Sequence, residues 1–406
     1  MTPTTAGPGE PGDPATAADS GAPGDTGTPV DTGTPADTGA ASWAATTGTA
    51  ASRTATAPTV TANTPAPPVR SRPGPFDRLG RLAHSKRLGP LRLVEGQEAV
   101  LAALLVALWL VLGLSTDTFF AASNLQNILF TVAPVAIAGI GMTAVIVTAG
   151  IDVSVGGTLA VVGVVVARLV RDAGVGLIPA IAVAVVTGAA LGLVNGLLVA
   201  YGRLHPIIVT FGTLNVFRFV ALEIFDSKQI SGVPGTLGLL GGGESGLSLG
   251  VPHAAVLALV LAAGAWTYMR YVPTGRHLYA VGGDAVAARL AGVRVERRQI
   301  SVYVLVGLLV GLAACVRIGS GGLVGQDIGT GFELEVIAAV VIGGTSILGG
   351  RGSVVGTLLG ALLVSTVTSA VTLLNWQNEL TQLFIGVFIV AAVGADLLRE
   401  RRRRSL

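Results

Sequence analysis

From about residue 98 onward the chain is a succession of apolar runs, each near the 20 or so residues that an α-helix needs to cross the hydrocarbon of a bilayer. Ten runs stand at 98–116, 126–148, 153–171, 175–200, 206–225, 251–270, 299–318, 332–348, 352–373 and 379–397. Of the 406 residues 51% are hydrophobic and 12% charged, against about a quarter charged in soluble domains. So much apolar surface has to face lipid, and in lipid every backbone amide must be satisfied internally. The expected fold is all-α, a polytopic integral membrane protein with about ten transmembrane helices. The 57 glycines fit a bundle, because small residues let helix backbones close up where no hydrophobic effect draws helices together. Gly188, Gly192 and Gly196 set out one such face. The third and eighth runs carry glycines and polar residues, so a broken or re-entrant segment is expected there.

The chain divides into a Thr/Ala/Gly/Pro-rich tail (1–69), a basic segment (70–97), a transmembrane domain (98–398) and a short basic tail (399–406). The first tail sets Glu10, Asp13, Asp19, Asp25, Asp31 and Asp37 against Arg53, which predicts disorder. It has no apolar run able to form the core of a signal peptide, so the first membrane helix carries the targeting information. Lys and Arg near helix ends remain on the cytoplasmic side. With ten crossings and a cytoplasmic start, the basic groups at 70–92, Arg203, the loop 271–298, Arg351 and Arg399–Arg404 all fall inside. Arg168, Arg171, Lys228 and Arg317 fall outside, among Asp117, Asp226, Glu244 and Asp327. The glycine-rich loop 226–250 is then external, a surface for an external partner, and both termini are cytoplasmic.

Several chemistries are excluded. A lone cysteine, Cys315, makes no disulfide framework, and His84, His205, His253 and His277 lack metal-ligand spacing. A phosphate-cradling Walker A loop needs a lysine directly after a glycine. The two lysines, Lys86 and Lys228, each follow a serine. The expectation is a chain that is no enzyme and holds no cofactor, with transport driven either by a partner that binds ATP or by an ion gradient. Gradient-driven transporters carry several ionisable groups at depth, whereas here Asp152, Glu223 and Arg317 stand near run ends and Arg218 alone stands well inside one. A structural scaffold is a third, weaker reading.

Four segments resemble the permeases of the ribose, xylose and related ABC sugar importers, which depend on solute-binding proteins. They are AGIDVSVGG (149–157), NGLLVAYGRLHPIIVTFGTL (195–214), TGRHLYAVGGDAVAARLAGVRV (274–295) and GTGFELEVIAAVVIGGTSILGGRGSVVGTLLGALL (329–363). The likeness covers roughly 98–398. The family pattern usually has Asn where Asp284 stands, and the segments around 230–243 and 374–386 look closest to the branch that carries rhamnose or autoinducer-2. The resemblance implies a monosaccharide or sugar-like solute, cytoplasmic ATP-binding subunits, a second permease chain and an extracytoplasmic solute-binding protein. It also implies that the inner loop engages the ATPase.

Within that loop Gly283, Asp284, Ala287, Ala288, Arg289, Leu290 and Gly292 form the candidate coupling element. Its Ala287, Ala288, Leu290 and Ala291 make one small apolar surface on a short helix stopped by Gly292. Such a helix suits the groove of a soluble partner or, alternatively, a bed of anionic headgroups. Candidates for the translocation pathway are Asp152, Ser154, Asn195, Thr210 and Arg218. Asp152 either caps the next helix or shapes a gate with Ser154. Asn195 belongs to the glycine face or meets a solute hydroxyl. Arg218 requires a cavity or a partner such as Glu223.

Overall fold

The computed structural model describes residues 96–404, apart from 227–229, 232–234, 243 and 322; the acidic tail and nearly all of the basic segment before the first helix lie outside the described residues. The elements are α1 (Gly96–Ser115), α2 (Ala122–Val147), α3 (Val155–Ala173), α4 (Leu177–Ala200) and α5 (Pro206–Phe225). A short strand β1 (Ile230–Ser231), one helical turn α6 (Gly238–Gly241) and the hairpin β2 (Leu247–Ser248) and β3 (Val251–Pro252) follow. Then come α7 (His253–Tyr271), α8 (Pro273–Gly283), α9 (Ala285–Leu290), α10 (Val295–Gly321), β4 (Leu323–Val324), α11 (Phe332–Ile342), α12 (Val354–Leu373) and α13 (Glu379–Arg404).

All ten apolar runs coincide with helices, but they are not ten equal crossings. Among the described residues α1, α2, α4, α5, α7, α10 and α12 are long and apolar enough to cross a membrane. The eighth run becomes α11, whose 11 residues span about 16 Å and so cannot cross about 30 Å of hydrocarbon alone. Gly343 and Gly344 end it, the latter at φ +93°, and the apolar residues beyond lie in a loop. The third run does form a continuous helix of 19 residues, α3, with Arg168, Arg171 and Asp172 near its C-terminus. The last helix extends past the expected 379–397 into the basic tail.

The centre of the bundle holds α2, α10 and α12, which are mostly buried, while α1, α4, α5 and α7 present most of their apolar surface outward. Packing is tightest between α4 and α10. A methyl on Gly188 would strike the Gly307 carbonyl, one on Gly192 the Tyr303 carbonyl, and one on Gly311 the Ala184 carbonyl. The glycine face expected on α4 therefore exists, and its counterpart is a second glycine row on α10. Backbones so close exchange dispersion and Cα–H···O contacts that bulkier residues would forbid.

The long connection after α5 folds back on the bundle. β1 pairs antiparallel with β4 (Ile230 with Val324), Gly241 packs on Gly319, and the His253 ring is held by Ser248 Oγ at 2.7 Å and the Leu239 carbonyl at 2.9 Å. This is the hairpin end of the bundle. At the opposite end stand α8 and α9.

Candidate functional site

Two helices begin inside the bundle, not at its ends. The chain leaves α2 at Val147, turns through Ala149 (φ +62°), and continues unwound to Ser154 before α3 starts. This stretch holds two of the five pathway candidates, Asp152 and Ser154, and two more bond to it from neighbouring helices. Asp152 Oδ1 accepts the Ser154 backbone N–H at 2.9 Å and its hydroxyl at 2.6 Å. Asn195 Nδ2, on α4, donates to Ser154 Oγ at 2.7 Å, and Thr210 Oγ1, on α5, donates to the Ile151 carbonyl at 3.1 Å and the Pro206 carbonyl at 2.9 Å. Asp152 is 2% exposed and Ser154, Asn195 and Thr210 are fully buried, so no water-filled lumen reaches them in this conformation. The expected helix cap is shifted: Asp152 binds the residue just ahead of α3 and none of the helix's own amides, building the preceding turn instead. The cluster bonds the Ile151 carbonyl and the Ser154 amide of the unwound stretch and ties it to α4 and α5. Asn195 Oδ1 and the Tyr303 hydroxyl of α10 are buried beside it without partners.

The second interrupted segment is 325–331, between β4 and α11. Gly329 and Gly331 take φ +79°. A methyl on Gly329 would strike the Gly156 carbonyl, and one on Gly156 would meet the Gly329 carbonyl and the Glu333 carboxylate, so the two unwound or newly helical stretches cross here. Arg218 reaches the same point from α5. Its Nη1 donates to Thr330 Oγ1 at 3.1 Å, its Nη2 lies 3.4 Å from the Gly329 carbonyl, and Nη2 stands 3.7 Å from Glu333 Oε1. Arg218 stands seven residues before the end of α5 at Phe225, about 10 Å along the axis, so the crossing lies well inside the span. The sequence expectation of Glu223 as partner is thereby corrected: Glu223 is exposed, and the acid that meets Arg218 is Glu333. Glu333 and Glu335 escaped notice because they open an apolar run, where charge is cheap. The signal available was two acids spaced two apart, with a lone arginine deep in another run.

At the far end the loop 271–298 holds two helices, not one. Pro273 starts α8 at its first turn. Asp284 breaks to an extended conformation and caps α9, accepting from Val286 N and Ala287 N at 2.9 Å each. Gly292 follows α9 at φ +86°, and Arg289 pairs with Glu296 at 2.5 Å. The apolar surface is divided. Ala288 is buried against Val281 and Val295, while Val286 and Leu290, one turn apart, are 65% and 86% exposed; Gly283 and Ala287 are exposed with them. The expected face of Ala287, Ala288, Leu290 and Ala291 is therefore replaced by a Val286–Leu290 ridge standing on an Ala288 anchor.

This protrusion is wired into the bundle through α8. Tyr279 donates to the Gly352 carbonyl at 3.1 Å. A methyl on Gly282 would collide with the Val147 carbonyl, and that carbonyl itself accepts from Gly350 N at 2.9 Å. The loop 343–353 is in turn fastened to other helices: Ser346 donates to Asp396 of α13 at 2.8 Å, Arg351 stands 3.7 Å from the same carboxylate, and Ser353 donates to Glu98 of α1. A cavity of about 440 Å³ between α2, α7, α8 and α10 is lined mainly by Ile140, Val260, Leu261, Leu305 and their apolar neighbours, and has little to offer a polar solute.

A bundle in which, among the described residues, seven helices are long and apolar enough to cross a membrane, two more begin inside it and a protrusion is wired to one end is a polytopic membrane protein of the transporter class. Residues 124–393 match the family model described as the branched-chain amino acid transport system / permease component, and the chain belongs to that family. It is 38% identical over 301 residues to the ribose import permease protein of Escherichia coli strain K12, covering 74% of this chain and 93% of that one. It is 38% identical over 308 residues to the fructose import permease protein of Rhizobium meliloti (73% and 83%), and 32% identical over 285 residues to the D-allose transport system permease protein of Escherichia coli K12 (70% and 86%). No solved structure matches.

Proposed function

We propose that this chain is the membrane-spanning permease subunit of an ABC importer that moves a monosaccharide or sugar-like solute inward. Separate cytoplasmic subunits bind and hydrolyse ATP, a second permease chain completes the pathway, and an extracytoplasmic binding protein delivers the solute. The observation that carries this reading is the α8–α9 protrusion. Leu290 and Val286 hold apolar area in solvent, which is costly unless a partner covers it, and α8 joins that ridge to Val147, Gly350 and Gly352 at the inner breaks of the bundle. The relatives named for ribose, fructose and D-allose import support a sugar as cargo. The basic residues of α8, α9 and the following turn (Arg276, Arg289, Arg294, Arg297, Arg298) put this end in the cytoplasm by the positive-inside rule. With α3, α13 and the unwound lead-in plus α11 counted as three further passes, both termini are cytoplasmic in the plasma membrane.

Coupling follows from these contacts. When the ATPase subunits close, the ridge is displaced, Tyr279 and Gly282 carry the displacement into 343–353 and the end of α2, and the two interrupted segments shift against each other. The test is Leu290→Asp in the native host. Because the side chain is exposed, the chain should insert in normal amount, yet the ATPase should no longer co-purify and uptake of labelled D-ribose, D-fructose and D-allose should fall below a tenth of wild type, about 1.4 kcal/mol or more of docking energy. Unchanged uptake of a transported sugar by this variant would refute the coupling role. Accumulation by the purified chain alone in liposomes with an imposed proton or sodium gradient would favour a gradient-driven transporter.

A further inference from the structure

We propose that Arg218 and Glu333, with Thr330, form the polar contact that a neutral polyhydroxyl solute makes as it passes the middle of the bundle. This rests on the permease reading above and adds to it the place where the solute is touched.

The pair is incomplete. Its closest nitrogen–oxygen distance, 3.7 Å, is too long for a direct hydrogen bond. Arg218 Nε and Glu333 Oε2 are both shielded from solvent without a partner. An arginine and a carboxylate free to relax would close into a bidentate fork. Here the guanidinium is instead shared with Thr330 Oγ1 and the Gly329 carbonyl. Neighbouring hydroxyls on a sugar each donate once and accept twice, so when the two interrupted segments shift apart one pair of them can give protons to Glu333 and accept from Arg218, completing both groups. The Asp152–Ser154–Asn195 cluster differs, because its donors already meet its acceptors at 2.6–2.9 Å.

Charge balance points to an uncharged cargo. At the crossing itself one base, Arg218, stands with one acid, Glu333. Such a set offers hydrogen bonds without a net field that would trap an ion. Access comes from the unwound stretch itself. Irregular backbone at bilayer depth persists where it is buried in protein or lines a water-filled cavity, and Thr330 is exposed while the Arg218 side chain keeps 32% of its surface open. Asn215, one turn earlier on α5, is also exposed and continues the polar stripe.

The test uses the full chain with its native partners. The single cysteine, Cys315, is buried, so wild type gives a low background with a charged, membrane-impermeant methanethiosulfonate. Thr330→Cys should react when the reagent is applied to cells from outside, and saturating transported sugar, tried as D-ribose, D-fructose and D-allose, should slow the reaction several-fold. Glu333→Gln should cut uptake of that sugar about tenfold, the cost of one charge-assisted contact, with half-saturation raised while the amount in the membrane stays within about twofold of wild type. If Glu333→Gln does not accumulate, Glu333→Asp is the substitute, with half-saturation for uptake expected to rise. A Thr330→Cys chain that never reacts, or wild-type uptake in both Glu333→Gln and Arg218→Gln, overturns the proposal. Should wild type with its partners carry none of the three sugars, the sugar-importer reading fails, and labelling of Thr330→Cys still decides whether the crossing is open to water.

Discussion

Two places in the bundle use glycine to bring backbones together, and they come to different ends. Along α4 and α10, Gly188 and Gly192 meet Gly307 and Tyr303, and both partners are complete helices whose amides and carbonyls are already bonded internally. At the α3–α11 crossing, Gly156 meets Gly329, but one partner is unwound, and its carbonyls are released at depth. The first joint therefore needs no charge. The second brings in Arg218 and Glu333 and leaves part of their bonding capacity unused. Close packing of two finished helices makes a fixed wall; close packing against an unwound segment makes a place where bonds can be exchanged.

The comparison is broken most severely at the wall. Gly192→Leu would push a branched side chain into the Tyr303 carbonyl, where neither backbone can retreat without opening the whole α4–α10 face. Overpacking of cores commonly costs about 1–3 kcal/mol, and a collision with backbone should reach the top of that range or beyond. The expected result is little protein in the membrane and early unfolding in detergent, measured by size-exclusion profile and thermal unfolding. A Gly192→Leu chain as stable as wild type would mean that the two helices are not in contact at this depth.

How much of this contrast could be foreseen depends on how local its cause is. The apolar run 206–225 becomes α5 over the same residues, because Pro206 starts it and Asp226 takes a left-handed turn at its end, both local signals. The eighth apolar run extends past the end of α11, since hydropathy sees Ile347 and Leu348 beyond Gly343–Gly344 and is blind to the positive φ at Gly344. The inner loop reads in the sequence as one short helix. Pro273 and Asp284 make it two, and the fold decides that Ala288 faces inward while Leu290 faces out. The glycine row on α4 was visible as a spacing, but its partner row on α10 was not, nor was the pairing of Arg218 with Glu333. A spacing announces a face; which face it meets is set by tertiary packing, and a charge inside one run finds its counter-ion in another.

A subtler probe lies between the two places. Asn195 sits in the α4 glycine face yet donates to Ser154 in the unwound stretch before α3. Asn195→Ala removes one buried hydrogen bond and leaves the Ser154 hydroxyl bonded to Asp152, a loss of about 1–2 kcal/mol. If Asn195 serves the wall alone, thermal stability falls by that amount and uptake per molecule in the membrane is unchanged. A drop in uptake beyond the loss of protein would place it with the crossing.

The smallest effect is expected at the protrusion, and it separates geometry from charge. Asp284 caps α9 by accepting two backbone N–H groups, a job that Asn does about as well. Asp284→Asn should thus leave uptake within about twofold of wild type. Asp284→Ala loses the cap, which costs about 1 kcal/mol, and a helix of six residues has little else to hold its first turn. The Val286–Leu290 ridge would fray, so uptake should fall several-fold while the thermal unfolding of the bundle, whose crossing helices do not depend on this turn, hardly moves. Equal impairment by Asn and Ala would show that the carboxylate's charge, not the cap, is what the α9 end requires, and the ridge would then owe its position to an ionic contact with its partner.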